Sequence, residues 1–330
     1  MARSFRLTEA EAPFSAQPVQ GQAGLYRLYG LTVESPFALP EAMRAGPIGQ
    51  LVGTDVTIRE GPVPTALADP EKRYDYWEAR KGDFLLHVPG IARFRMCDGK
   101  SITFQRLGLA SDDAVRAFLL GSCLGAILHQ RGTAALHAAG LVRGGRVFLI
   151  CGRSGAGKST TTAHLLAKGG GAMLCDDLAA IDVGDGFSVH PGLLHTRLDA
   201  AALGSIGRPT PGAPGAKDKW AISTADCFVD RPQRIGGVLA IERIAGDGEI
   251  ALRRLRPAAA LHALRKQSYR RSFTTRDRAQ EILDVWAGLS DQVPVWQVTR
   301  PLGRDTMTQL AEAAERAIAA SLEELGETVP

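Results

Sequence analysis

The sequence predicts an α/β fold: a domain with a mixed sheet around a phosphate-binding loop, preceded by a smaller β-rich domain. Three observations carry the prediction. Gly152-Arg153-Ser154-Gly155-Ala156-Gly157-Lys158-Ser159 is a complete G-x-x-x-x-G-K-[ST] segment set between an apolar strand and a helix. Ahead of it, two apolar runs flank Gly144-Gly145, a two-residue turn signal that predicts an antiparallel hairpin. Behind it, a helix and another apolar strand predict a right-handed crossover, whose two strands run parallel. The antiparallel hairpin supports a mixed sheet.

At 330 residues, 45% hydrophobic and 22% charged, the chain can bury one large core or two ordinary ones. The pattern divides it into a β-rich N-terminal domain over 1–108 and a phosphate-loop domain over 109–330. A net charge of +4 suits anionic ligands without calling for nucleic acid as a partner. Five cysteines, odd in number and mostly in apolar runs, predict buried free thiols in a reducing, cytoplasmic setting rather than a disulfide framework. The N-terminal residues lack the apolar centre of a signal peptide, so export is not expected. The apolar run 114–128 contains Arg116 and is shorter than the roughly 20 residues needed to span a bilayer, so no membrane partner is expected. A homo-oligomer is compatible with all of this.

Residues 1–20 read as polar and irregular. Short strands separated by Pro/Gly turns follow at 24–31, 55–59, 83–88, 92–96 and 101–105, with Asp98-Gly99 as the turn between the last two. Ser111, Asp112 and Asp113 cap a helix that continues to Leu128. The hairpin strands are 136–142 and 146–151, the loop's helix runs from about Ser159 to Lys168, and Gly169-Gly170-Gly171 stops it. The strand 172–175 then enters Asp176-Asp177. Beyond lie a Pro/Gly loop at 213–218, strands at 237–243 and 293–298, a helix at 258–266 and an amphipathic helix over 305–325.

The chemistry concentrates in three places. In the loop, glycines let backbone N–H groups curl around a phosphate and the helix N-terminus adds its positive dipole; Lys158 reaches the transferred phosphate and Ser159 ligates magnesium. Thr160 completes the nucleotide-binding set, Gly152 to Thr160. Asp176 and Asp177 follow at the end of the next strand, on the same sheet edge as the loop. Neighbours at a strand end point to opposite sides, so one carboxylate can face a metal while the other accepts a proton from a hydroxyl. The third is His137. A histidine in Ala-Ala-Leu-His-Ala-Ala-Gly is more often packed in a core, but the hairpin register puts it opposite Gly152, at the mouth of the loop. A basic cluster from Arg253 to Arg278, together with Lys217 and Lys219, reads mainly as solvated surface, with one or two members free to grip an oxyanion.

Leu136-His137-Ala-Ala-Gly, the phosphate loop and Cys175-Asp176-Asp177 together resemble the C-terminal catalytic domain of the HPr serine kinase/phosphorylase family, where these motifs occur in this order. The resemblance is specific over 135–182 and looser to about 300. The whole chain looks most like the HPr-kinase-related proteins of bacterial peptide-biosynthesis clusters, some of which phosphorylate the C-terminal serine of a lasso-peptide precursor. It implies a fold like phosphoenolpyruvate carboxykinase, with Asp177 as general base, Asp176 near the metal, His137 assisting and Arg197 at the nucleotide's phosphates. One family signature departs: Leu194-His195-Thr196-Arg197-Leu198 keeps the arginine but holds His195 at the position of a magnesium-binding glutamate. That glutamate belongs to the bifunctional enzymes, so phosphorylase activity and HPr as substrate are not implied.

The resulting expectation is an ATP- and Mg2+-dependent kinase acting on a serine hydroxyl of a peptide or small protein, with a lasso-peptide precursor as the leading acceptor. A kinase of an HPr-type carrier, a small-molecule kinase and a non-catalytic ATP-binding sensor are the alternatives.

Overall fold

Short runs between turns form the first nine strands: β1 (Gly24–Leu28), β2 (Leu31–Ser35), β3 (Met43–Gly46), β4 (Val56–Glu60), β5 (Lys72–Arg73), β6 (Trp77–Arg80), β7 (Asp83–Val88), β8 (Ala92–Cys97) and β9 (Ser101–Arg106). The computed structural model describes residues 23–46, 53–184, 186–212, 214, 218–302 and 306–327. The polar stretch 1–20, Lys217, most of the 213–218 loop and the expected helix start at Asp305 therefore lie outside the described residues. Period-two burial is clearest in β8, where Ala92, Phe94 and Met96 face inward. The nine strands form one sheet in the order β3-β1-β2-β4-β9-β8-β7-β6-β5. Asp98 and Gly99, at φ 53° and 65°, make the expected tight turn.

Helices α1 (Asp112–Phe118) and α2 (Leu124–Gln130), joined by the π-helical turn Leu119–Cys123, follow. Ser111 caps α1 by accepting from Ala114 N. The described residues fall into two compact units: 23–135 with Ser268–Val285, and Leu136–Gln267 with 286–327. A boundary at 108 thus precedes a helix pair that packs with the N-terminal strands. Gln130 accepts from Gly99 N at 2.8 Å and donates to the Met96 carbonyl at 2.9 Å, and the Phe118 ring lies 6.2 Å from Phe94.

The second unit contains β11 (Ala138–Arg143), β12 (Arg146–Gly152), α3 (Lys158–Ala167), β13 (Ala172–Cys175), β14 (Ala179–Asp182), β15 (Ser188–Val189), β16 (His195–Asp199), α4 (Ala200–Ser205), β17 (Lys219–Ser223), β18 (Gln233–Ile244), β19 (Ala251–Arg254), α5 (Pro257–Gln267), β20 (Val295–Pro301) and α7 (Met307–Glu324). The chain enters it through β10 (Ala135–Leu136), and α6 (Arg276–Gln292) begins in the first unit and ends in the second. The sheet is mixed: β12 runs parallel to β18, β18 parallel to β20, and β11 antiparallel to both β12 and β13. One face carries α3 and α7, whose Leu165, Leu166, Leu310, Ala314 and Ile318 join Leu141, Phe148, Ile150 and Val298 in the core. Among the described residues no helix is long and apolar enough to cross a membrane. The cysteines are free thiols, with Cys123, Cys151 and Cys175 buried and Cys97 and Cys227 half-buried.

Candidate active site

Strand direction assembles the site. Because β11 lies between β12 and β13 and runs opposite to both, its N-terminal end shares an edge with their C-terminal ends. His137, immediately before β11, therefore stands between Gly152 at the end of β12 and Asp176-Asp177 after β13. The hairpin register, Arg143↔Arg146 through Ala138↔Cys151, is the one the glycine turn predicts. Gly144 and Gly145 take φ 57° and 74°, as a type I′ turn requires.

Lys158 opens α3 behind Gly157, whose φ of 106° and crowded surroundings admit only glycine: a Cβ there would lie 3.0 Å from Arg300 Nη1 and 3.1 Å from Leu310 Cδ2. Lys158 Nζ donates to the Gly152 carbonyl at 2.8 Å and to His137 Nε2 at 3.0 Å. An ammonium can only donate, so Nε2 carries the lone pair and Nδ1 the proton. That Nδ1–H faces Asp177, 2.9 Å from its carbonyl oxygen and 3.1 Å from Oδ1. Burial lowers the Lys158 pKa, against the opposing pull of Asp177, Cys151 and Asp176.

The two aspartates occupy opposite environments. Asp176 is buried; its Oδ2 accepts from Thr196 Oγ1 at 2.7 Å and Arg197 N at 3.2 Å, and Ser159 Oγ lies 3.3 and 3.4 Å from its two oxygens. Burial raises its pKa despite those hydrogen bonds. Asp177 sits at φ 70° inside a three-residue turn closed by Leu178 N donating to the Asp176 carbonyl at 2.9 Å. A non-glycine residue at positive φ in such a turn is strained, and Asp and Asn tolerate it best among side chains. The turn brings the Asp177 side chain out to 65% exposure. Partial removal from water raises its pKa, but the hydrogen bond from the His137 ring and the positive charges of Lys158 and Arg197 outweigh that and hold it below the usual carboxylate range.

Arg153, Ser154 and Gly155 are exposed in the loop, while Ala156 is buried and Thr160 stands in the first turn of α3. Arg197 is exposed on β16, near enough for its charge to act on Asp177. The β16–β17 hairpin, absent from the sequence expectations, supplies the Thr196 and Arg197 contacts to Asp176 and carries Lys219, whose charge acts on Lys158. Sequence reasoning also missed Arg300, which donates from Nη1 to the Ala156 carbonyl at 3.0 Å and from Nε to Thr306 Oγ1 at 2.9 Å. In the basic cluster, Arg254 pairs with Glu324 at 3.3 Å, Lys266 with Glu242 at 3.0 Å and Arg278 with Glu281 at 2.8 Å, which is surface pairing.

A magnesium ion fits the donor set. Ser159 Oγ and the Asp176 carboxylate are adjacent hard oxygen donors. Few protein ligands, with the remaining positions left to phosphates and water, is the usual way magnesium is held.

No family model matches the sequence, and no curated protein matches it. Among solved structures, the HPr(Ser) kinase/phosphatase from Coxiella burnetii is similar to 58% of this chain and 98% of its own, at 12% sequence identity and a TM-score of 0.31.

Proposed function

We propose that this chain is an ATP- and magnesium-dependent phosphotransferase that phosphorylates a serine hydroxyl on a peptide or small protein. The observation that carries the reading is the chain Lys158–His137–Asp177, with links of 3.0 and 3.1 Å, which joins the loop lysine to an exposed carboxylate. A phosphate held by Lys158 thus has a proton acceptor beside it.

The residues divide the work. Asp177, an exposed carboxylate whose pKa is lowered further, accepts the hydroxyl proton as the acceptor oxygen bonds to the terminal phosphorus. The bond from that phosphorus to the bridging oxygen breaks, and its electron pair leaves on the diphosphate. A carboxylate with a lowered pKa is a modest base, which suits a loose phosphoryl-transfer transition state where proton transfer comes late. His137 orients the carboxylate through Nδ1–H, and Lys158 and Arg197 offset charge on the transferred group. Magnesium held by Ser159 and Asp176 would supply further positive charge at the phosphates. The acceptor we propose is a ribosomally made lasso-peptide precursor, in keeping with the sequence resemblance; an HPr-type carrier and a free small-molecule hydroxyl are the competing acceptors.

The test is transfer of labelled phosphate from ATP to a precursor peptide, an HPr-type carrier and free serine, by wild type and Asp177→Asn. Asparagine tolerates the left-handed turn, so the substitution removes the base without changing the backbone demand. Transfer by the variant is expected to fall about 100-fold or more, with ATP affinity retained. Equal transfer by both proteins would remove Asp177 as the base.

A further inference from the structure

We infer that Arg243 is a further nucleotide-contacting residue, gripping the phosphates that stay with the leaving group on the side of the loop opposite Asp177. The inference rests on the phosphotransferase reading above and adds to it a donor-binding residue.

Sheet order supplies the geometry. β12 has β11 as one neighbour and β18 as the other, with β20 beyond β18. The His137–Asp177 side and the β18–β20 side therefore flank the loop from opposite directions. Gly152 pairs with Ile241, so Arg243, two residues further along β18, extends past the point where β12 gives way to the loop. Arg243 in turn pairs with Arg300 on β20.

The two arginines do different things there. Arg300 is occupied as a strut, bonded to the Ala156 carbonyl and Thr306 Oγ1. Arg243 is exposed and rests against the loop: a Cβ built on Gly155 would lie 3.2 Å from its Nη1. Among the described residues no carboxylate pairs with it. Its neighbour Glu242, on the alternate face of β18, is taken by Lys266 Nζ at 3.0 Å and by Gln297 Nε2. A guanidinium pressed to a phosphate loop without a neutralising acid presents its fork of donors to an anion.

The position says which part of that anion. The transferred phosphate must lie at Lys158 and Asp177, where the acceptor arrives, so the remaining phosphates run along the loop away from Asp177. As the bond to the bridging oxygen breaks, its electron pair collects on the diphosphate, the group Arg243 faces. Arg243 therefore binds ATP and the product ADP alike.

The experiment is calorimetric titration of ADP with magnesium into wild type, Arg243→Gln and Arg243→Lys. Melting curves without nucleotide check folding, which an exposed side chain should leave unchanged. The expected result is ADP affinity weakened about tenfold or more in Arg243→Gln and by less in Arg243→Lys, a charge-assisted contact having been removed or made single-pronged. ADP affinity in Arg243→Gln within about twofold of wild type would overturn the assignment while leaving the phosphotransferase reading intact. Wild type that binds no ADP at all would instead overturn the phosphate-loop reading itself.

Discussion

Removing the Asp176 carboxylate from water costs free energy only while it is ionised, and that fact gives the residue a sign in stability. Its folded pKa is raised, so the folded state holds the proton more tightly than the unfolded chain. Stability then falls as pH rises from the unfolded value through the folded one, so the penalty is larger at neutral pH than in acid. Asparagine in its place keeps an acceptor for Thr196 Oγ1 and Arg197 N and carries no charge. Asp176→Asn is therefore expected to melt higher than wild type at pH 7 without metal, with the gap closing as pH approaches 4. Magnesium should raise the wild-type melting temperature and leave the variant's unchanged, because the charge that the cation would offset is gone; a variant melting below wild type at pH 7 would contradict this. Asp177 is the neighbour with the opposite electrostatics: its turn at φ 70° carries the carboxylate out of the core, where the His137 hydrogen bond and the charges of Lys158 and Arg197 lower its pKa.

β11 sets the spacing of the site, since it separates the strand that leads into the loop from the strand that leads into the aspartates. At its Gly140, side chains of both neighbouring strands crowd the backbone: a Cβ there would lie 2.8 Å from Cys175 Sγ and 3.2 Å from Val147 Cγ2. Gly140→Ala is expected to cost about 1–3 kcal/mol by overpacking and to lower transfer by displacing β13. Adding Cys175→Ala opens the space that the new methyl needs, so the double variant should recover much of both losses. A double-mutant cycle by denaturant unfolding measures that coupling, and purely additive effects would show that Gly140 does not set the spacing. The same strands show what a sequence can disclose. The loop, the hairpin register and the aspartate doublet are local patterns, and each is found where its pattern puts it. Thr196, Arg243 and Arg300 act across segments far apart in the chain, and nothing beside them in sequence marks the contact. Helix α6 was legible in principle: Ile282, Trp286 and Leu289 recur at helical spacing and are buried, inside a segment whose charges drew the reading elsewhere.

Over the whole molecule, sequence order and packing part company at 268–285, which follows the phosphate-loop residues in the chain but packs with the N-terminal strands. Composition gives no sign of this return, because its cause is a set of tertiary contacts. Phe273 lies 5.1 Å from Trp77 and 4.4 Å from Phe84, Lys72 Nζ donates to the Ser272 carbonyl at 3.1 Å, and Tyr269 N donates to the Ala135 carbonyl at 2.7 Å. His129 of α2 fastens the same segment: Nε2 bonds the Tyr269 carbonyl at 2.8 Å and Nδ1 accepts from Thr274 Oγ1 at 3.1 Å. The carbonyl of Tyr269 needs the proton on Nε2, which leaves Nδ1 as the acceptor in the neutral ring, and burial disfavours the charged ring and lowers the pKa from 6.5 to about 4. The unfolded chain therefore binds the proton first as pH falls, so stability is full above pH 6.5 and is lost progressively down to about pH 4. The loss is on the order of 3 kcal/mol by pH 4. Hydrogen exchange should show amides of α2 and of 268–275 losing protection across that interval. Glutamine can supply one donor and one acceptor at this position but cannot take up the proton. His129→Gln should thus begin less protected at pH 7, because its shape differs, yet change less on acidification. Parallel acid profiles for the two proteins would show that the clasp's pH dependence lies in groups other than His129.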